Sequence, residues 1–159
     1  MKNIDLSRFS FGVPAAITTS LAIIIGLGPT HNPKIYIMST LLILAIADNL
    51  TDSLGIHIYR ESQRIGEKRD TIINTISNFF TRLVITITFM LLIFLLPIQY
   101  AIITSVIVGL SLLSVLSYLI AIKQKANPYK AVLEHIGIVV VVIIISYFLG
   151  QMITNYFNI

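Results

Sequence analysis

The chain has 159 residues, 56% of them hydrophobic and 11% charged, with a formal net charge of +4 and a mean hydropathy of +0.90. A soluble domain carries about a quarter charged residues, so the composition argues against a water-soluble globule and for bundled transmembrane helices. Cysteine is absent, which excludes disulfides, thiolate metal sites and thiol nucleophiles. The basic balance is not a nucleic-acid footprint, because Lys and Arg stand at the ends of apolar runs rather than along one face.

The first apolar run, 13–28, follows a polar N-terminal stretch and shows no cleavage site of signal-peptide type, so it reads as a retained helix starting near Phe9. Its small residues Ala15, Thr19, Ala22 and Gly26 recur at spacings of 4, 3 and 4, which suits close helix packing, within the chain or between subunits. Thr18, Thr19 and Ser20 are expected to bond their own backbone. His31, between Pro29 and Pro33, is given no role. The second span is 35–58, followed by a cytoplasmic linker, 60–82. The third, 83–97, looks short and is expected to begin within the amphipathic stretch 71–82. Pro97 closes it and opens a tight hairpin to the fourth span, 100–122. The fifth is 136–156; its run 138–145 would suit a buried strand in water but reads as helix in lipid. Tyr36, Tyr59, Tyr100 and Tyr156 stand near span ends, as interfacial aromatics do.

Ten of the eleven basic residues then sort to one side: Lys2 and Arg8; Arg60, Arg64, Lys68, Arg69 and Arg82; Lys123, Lys125 and Lys130. Lys34 alone falls on the other. The positive-inside rule places the larger set in the cytoplasm. The expected fold is all-α: one polytopic transmembrane domain, 1–159, of five spans, N-terminus cytoplasmic and C-terminus outside.

Asp48 and Asp52 interrupt the apolar second span. Each carboxylate costs about 2.5–3.5 kcal/mol at a helix centre, and a spacing of four puts both on one face, with Thr51 and Gly55 beside them. Two such charges oppose each other unless a cation lies between them, and oxygen ligands of this kind suit Mn²⁺, Fe²⁺, Mg²⁺ or Ca²⁺. The structural reading is a solvated pair near the cytoplasmic end, with Asp52 as a cap; the functional reading, a metal site completed by Asn49 and Thr51, is preferred. Asn49 and Ser53 also suit helix–helix hydrogen bonding. His57 and Glu61 form a second i,i+4 pair near the cytoplasmic exit, and Glu134 and His135 open the fifth span on the same side. Both pairs read as surface or helix-terminus charges, with an approach site or proton relay as the sharper alternative. No nucleotide loop, catalytic triad or metalloprotease signature is present, so no enzyme is expected.

In residues 19–28, 45–62, the Pro97 hairpin and the run from Glu134-His135-Ile136-Gly137 to Ser146-Tyr147-Phe148-Leu149-Gly150, the chain resembles the vacuolar iron transporter family of iron and manganese exporters. Asp52-Ser53-Leu54-Gly55 followed by Ser62 looks like the family's serine–methionine–glycine segment and the serine-acid after it. The resemblance implies five spans in the same orientation and a homodimer with the ion route between subunits. The chain departs from the family at Ala15, where an aspartate is usual, at Asp52 in place of the methionine and at Leu44 in place of the transmembrane glutamate. The cytoplasmic metal-binding helical domain has no counterpart in 60–82. The expectation is a secondary transporter in the plasma membrane that exports a divalent metal, Mn²⁺ or Fe²⁺ first, in exchange for protons. It would have no permanently bound cofactor and no nucleic-acid partner. The alternatives are a non-transporting membrane scaffold, or a transporter of another cation or of protons.

Overall fold

The computed structural model describes residues 11–63 and 68–158, and every regular element among them is a helix: α1 (Gly12–Leu27), α2 (Pro33–Ser62), α3 (Lys68–Leu95), α4 (Ile98–Lys123) and α5 (Pro128–Phe157). Phe9, the expected start of the first helix, lies outside the described residues. The boundaries follow local chemistry. Pro33 and Pro128 each open a helix at its first turn, where proline has no hydrogen bond to lose. Asn127 caps α5, its side-chain oxygen accepting from the amides of Tyr129 and Lys130 at 3.1 and 3.2 Å. Pro97 separates α3 from α4. Lys34 reaches across from α2 to donate to the carbonyls of Phe94 and Leu96 at 2.8 and 3.4 Å, putting a positive charge on the negative end of α3. The single basic residue that charge sorting left on its own side thus has a structural partner.

Four helices, α2 to α5, are long and apolar enough to cross a bilayer, as in an integral membrane protein. The 16 residues of α1 make it shorter, about 24 Å at 1.5 Å per residue. It lies inside the others: it packs on all four, and its Ile17, Leu21 and Ile24 are fully buried. Around them gather Ile37 and Leu41 of α2, Phe89 and Ile93 of α3, Leu113 of α4 and Val139 of α5. None of the large exposed apolar side chains belongs to α1, whereas every long helix carries a row of them. That distribution suits lipid outside and a packed core within, since lipid, unlike water, tolerates exposed Ile, Leu and Phe.

Two close helix approaches use glycine. A Cβ on Gly150 of α5 would run into the Gly26 carbonyl of α1, so the two backbones touch. Gly26, in the small-residue stripe, is therefore part of a seam inside the chain. Gly109 of α4 similarly receives Leu21, whose Cδ1 would stand 2.8 Å from an added Cβ. Thr18 and Thr19 donate to the carbonyls of Pro14 and Ala15, as their place in an apolar helix predicts.

The helices extend past the apolar runs. α3 begins at Lys68 and already contains the whole of 71–82. Arg82, counted above among linker charges, is instead a mid-helix residue with 1% exposure.

Candidate functional site

The most extensive helix pair is α2 with α3, joined by a short connection and therefore antiparallel. Its seam can be followed rung by rung. Asn49 Oδ1 accepts from Arg82 Nε at 2.9 Å, Ser53 Oγ accepts from Asn78 Nδ2 at 3.1 Å, and His57 Nδ1 lies 3.2 Å from Thr75 Oγ1. The steps of four in α2 and of three or four in α3 are those of one face of each helix. Toward the opposite end the same face becomes apolar, with Ala45, Leu41 and Ile37 on α2 and Phe89 and Ile93 on α3. The seam is thus polar from the α2–α3 connection to about the middle of α3 and apolar beyond.

Asp48 and Asp52 flank the deepest polar rung. Both carboxylates pair with the Arg82 guanidinium, Asp48 through Nη2 and Asp52 through Nη1, in each case by Oδ2. The cation that two neighbouring acids require is supplied by the chain. The site is asymmetric in burial: Arg82 is 1% exposed, while the side chains of Asp48 and Asp52 are 34% and 47% exposed. The guanidinium therefore closes the inner side of the acid pair, and the outer side faces away from this chain. Asn49 is locked by a second bond, from its Nδ2 to the Ala45 carbonyl at 3.0 Å. The Thr86 hydroxyl donates to the Arg82 carbonyl at 2.9 Å. Asn78 Oδ1 is buried without a partner and faces the start of α1, where an added Cβ on Gly12 would come within 2.6 Å of it.

Depth follows from helix rise. At 1.5 Å per residue Asp48 and Asp52 stand about 21 and 27 Å from Lys34, and Arg82 stands about 20 Å from Leu95 at the same end. A hydrocarbon layer of about 30 Å laid from that end would enclose all three.

The other expected site residues divide. Thr51 lies beside the pair, exposed, its hydroxyl donating to the Ala47 carbonyl at 2.8 Å. His57 is two rungs from Arg82 toward the α2–α3 connection, and its Nε2 is 3.9 Å from Glu61. Glu134 and His135 belong to the other hairpin. Glu134 is an exposed i,i+4 partner of Lys130 at 4.0 Å, and His135 Nδ1 lies 2.7 Å from Ser117 Oγ of α4. That pair borders a cavity of about 220 Å³ between α1, α4 and α5, lined otherwise mostly by apolar side chains. Among the described residues no three Asp, Glu or His side chains converge in the manner of a closed metal cage. The residue that sequence reasoning placed elsewhere is Arg82. Its signal was its place at the end of the amphipathic stretch 71–82, where the third helix was expected to begin, but a basic residue one position before an apolar run reads equally as the end of a loop. Comparison with family models, curated proteins and solved structures found no match.

Proposed function

We propose that the chain is a secondary transporter that moves a divalent cation, Mn²⁺ or Fe²⁺ first, out of the cytoplasm in exchange for protons, with Asp48 and Asp52 as the ion site. One observation carries this reading: two carboxylates one helical turn apart, about 21 and 27 Å along α2 from Lys34, each paired with Arg82 through Oδ2 while the side chains of Asp48 and Asp52 stay 34% and 47% exposed among the described residues. Paired carboxylate oxygens suit hard or borderline divalent ions, and ionisable groups at this depth commonly mark ion pathways. Thr51 adds an exposed hydroxyl beside the pair, while Asn49, its oxygen engaged by Arg82 Nε and its amide by the Ala45 carbonyl, holds the guanidinium in place; the rungs at Ser53/Asn78 and His57/Thr75 give a polar approach from the α2–α3 connection. Glu134 and His135, on the other hairpin, serve the same membrane side as a separate proton-handling pair.

The orientation proposed is N-terminus cytoplasmic with five crossings, α1 included. With Arg82 moved from the linker into the bundle, nine basic residues still lie on one side against Lys34 on the other. A homodimer in the plasma membrane belongs to the same reading. The outer face of α2 exposes Thr51, Asp52 and Gly55, polar and small groups that a second copy covers better than lipid does.

The test is purified protein in liposomes, with Mn²⁺ flux and internal pH followed together. Wild type is expected to show metal flux with opposing proton movement, and D48N/D52N to lose at least about tenfold of it, the loss expected when a transported ion's ligand charge is removed. A second reading is favoured by the Arg82 ion pairs themselves: acids already partnered across α2–α3 can simply hold a scaffold together. Under it, folded wild type and the double variant both show no flux of either ion.

A further inference from the structure

An acid pair built only to receive cargo would face its own repulsion whenever cargo was absent. Here the chain supplies a cation to that place. Asp48 and Asp52 each direct one oxygen to the Arg82 guanidinium, and the guanidinium is held rather than loosely parked. Its Nε is fixed by Asn49 Oδ1 at 2.9 Å. Its stem is walled by the first turn of α1, where a methyl group on Gly12 would come within 3.3 Å of Arg82 Cγ. The charges are then definite. Two carboxylates and one guanidinium sum to one net negative charge. A divalent ion added while the guanidinium stayed would leave a net positive cluster, shielded from water on its inner side, and such an excess is strongly opposed where the dielectric is low.

We propose that Arg82 is the tethered counter-cation of the ion site: divalent cargo binds Asp48 and Asp52 only as the guanidinium releases them, and Arg82 returns as cargo leaves. This rests on the reading of the acid pair as the ion site. Arg82 then acts on affinity as a built-in competitor, keeping the site weak enough to discharge and sparing the empty protein an unpaired acid pair. Asn49 is a positioning residue in this scheme. It holds Nε, so loosening Asn49 makes the competitor less effective without removing its charge.

The test is Mn²⁺ binding to the purified full-length protein in detergent, followed by loss of the free aqueous Mn²⁺ signal in electron paramagnetic resonance. R82Q is expected to bind at least about tenfold tighter than wild type, because a like charge has left the site, whereas R82K keeps the charge but loses the guanidinium fork and its Nε bond, and falls between wild type and R82Q. N49L is expected to bind about two- to fivefold tighter, a change worth less than 1.4 kcal/mol. Equal or weaker binding by R82Q overturns the competitor role. If R82Q is not recovered as folded protein, N49L decides: tightening supports the proposal, and unchanged or weaker binding overturns it. D48N/D52N separates the two layers of the argument. Binding abolished there but equal in wild type and R82Q sinks only the role of Arg82. Binding that survives in D48N/D52N, or is absent from every protein, sinks the acid-pair reading and this proposal with it.

Discussion

At the scale of single residues, the feature that organises the molecule is a buried arginine meeting two aspartates. A buried ion cluster is costly to break from one side and much cheaper to replace as a whole, because a lone survivor keeps its desolvation penalty without its partner. R82L in an otherwise native chain is therefore expected to lose about 3 kcal/mol or more of stability. R82L combined with D48N/D52N is expected to recover most of that loss, a non-additivity typical of contacting groups. Thermal unfolding of wild type, R82L, D48N/D52N and the combined variant in one detergent checks it, and additive losses would mean that the pairs contribute little. The acid half of this cluster was legible in the sequence, because charges inside an apolar run are conspicuous and a spacing of four names their shared face. Arg82 was not. It adjoins the apolar run 83–97 from the side where loops supply arginines, and its partners lie some thirty residues away in the chain. The amphipathic stretch 71–82 hinted that Arg82 is helical, but nothing local says that a neighbouring helix has drawn its side chain into the bundle.

At the scale of elements, helix existence was legible and helix length less so. The apolar runs report the lipid-facing and core stretches, while α2, α3 and α5 continue through polar turns at their ends, where backbone hydrogen bonding goes on whether or not side chains are apolar. The small-residue stripe of α1 foretold a close approach but not its partner; Gly26 finds it in Gly150. That contact yields a clear contrast. G150A puts a methyl group against backbone that has no flexible end to move aside, and is expected to cost about 3 kcal/mol or more, at the high end for overpacking. G137A, on the same helix with open space around it, is expected to be neutral or to stabilise by up to about 1 kcal/mol through helix propensity. The yield of monodisperse protein and its melting temperature distinguish them; similar behaviour of the two variants would deny the seam.

At the scale of the whole molecule, four long helices enclose one short one, and the polar groups of α2 divide between an inner seam and an outer strip. Gly55 lies on that strip, with no described residue within 4 Å of an added Cβ. In the homodimer proposed here a second copy occupies this space. G55L is then expected to shift the protein toward monomer by light scattering in detergent while its helicity and melting temperature hold. An unchanged oligomeric state would remove the outer strip of α2 from the interface. The contact between Gly26 and Gly150 bears also on how such a chain is made. Of the five helices the one at the centre is made before the other four, and its tightest neighbour is made after them. For most of translation, then, the segment destined for the interior has its glycine face uncovered. The bundle closes only when α5 arrives, so a chain stalled before it would hold α1 in an incomplete sheath and present it to quality control.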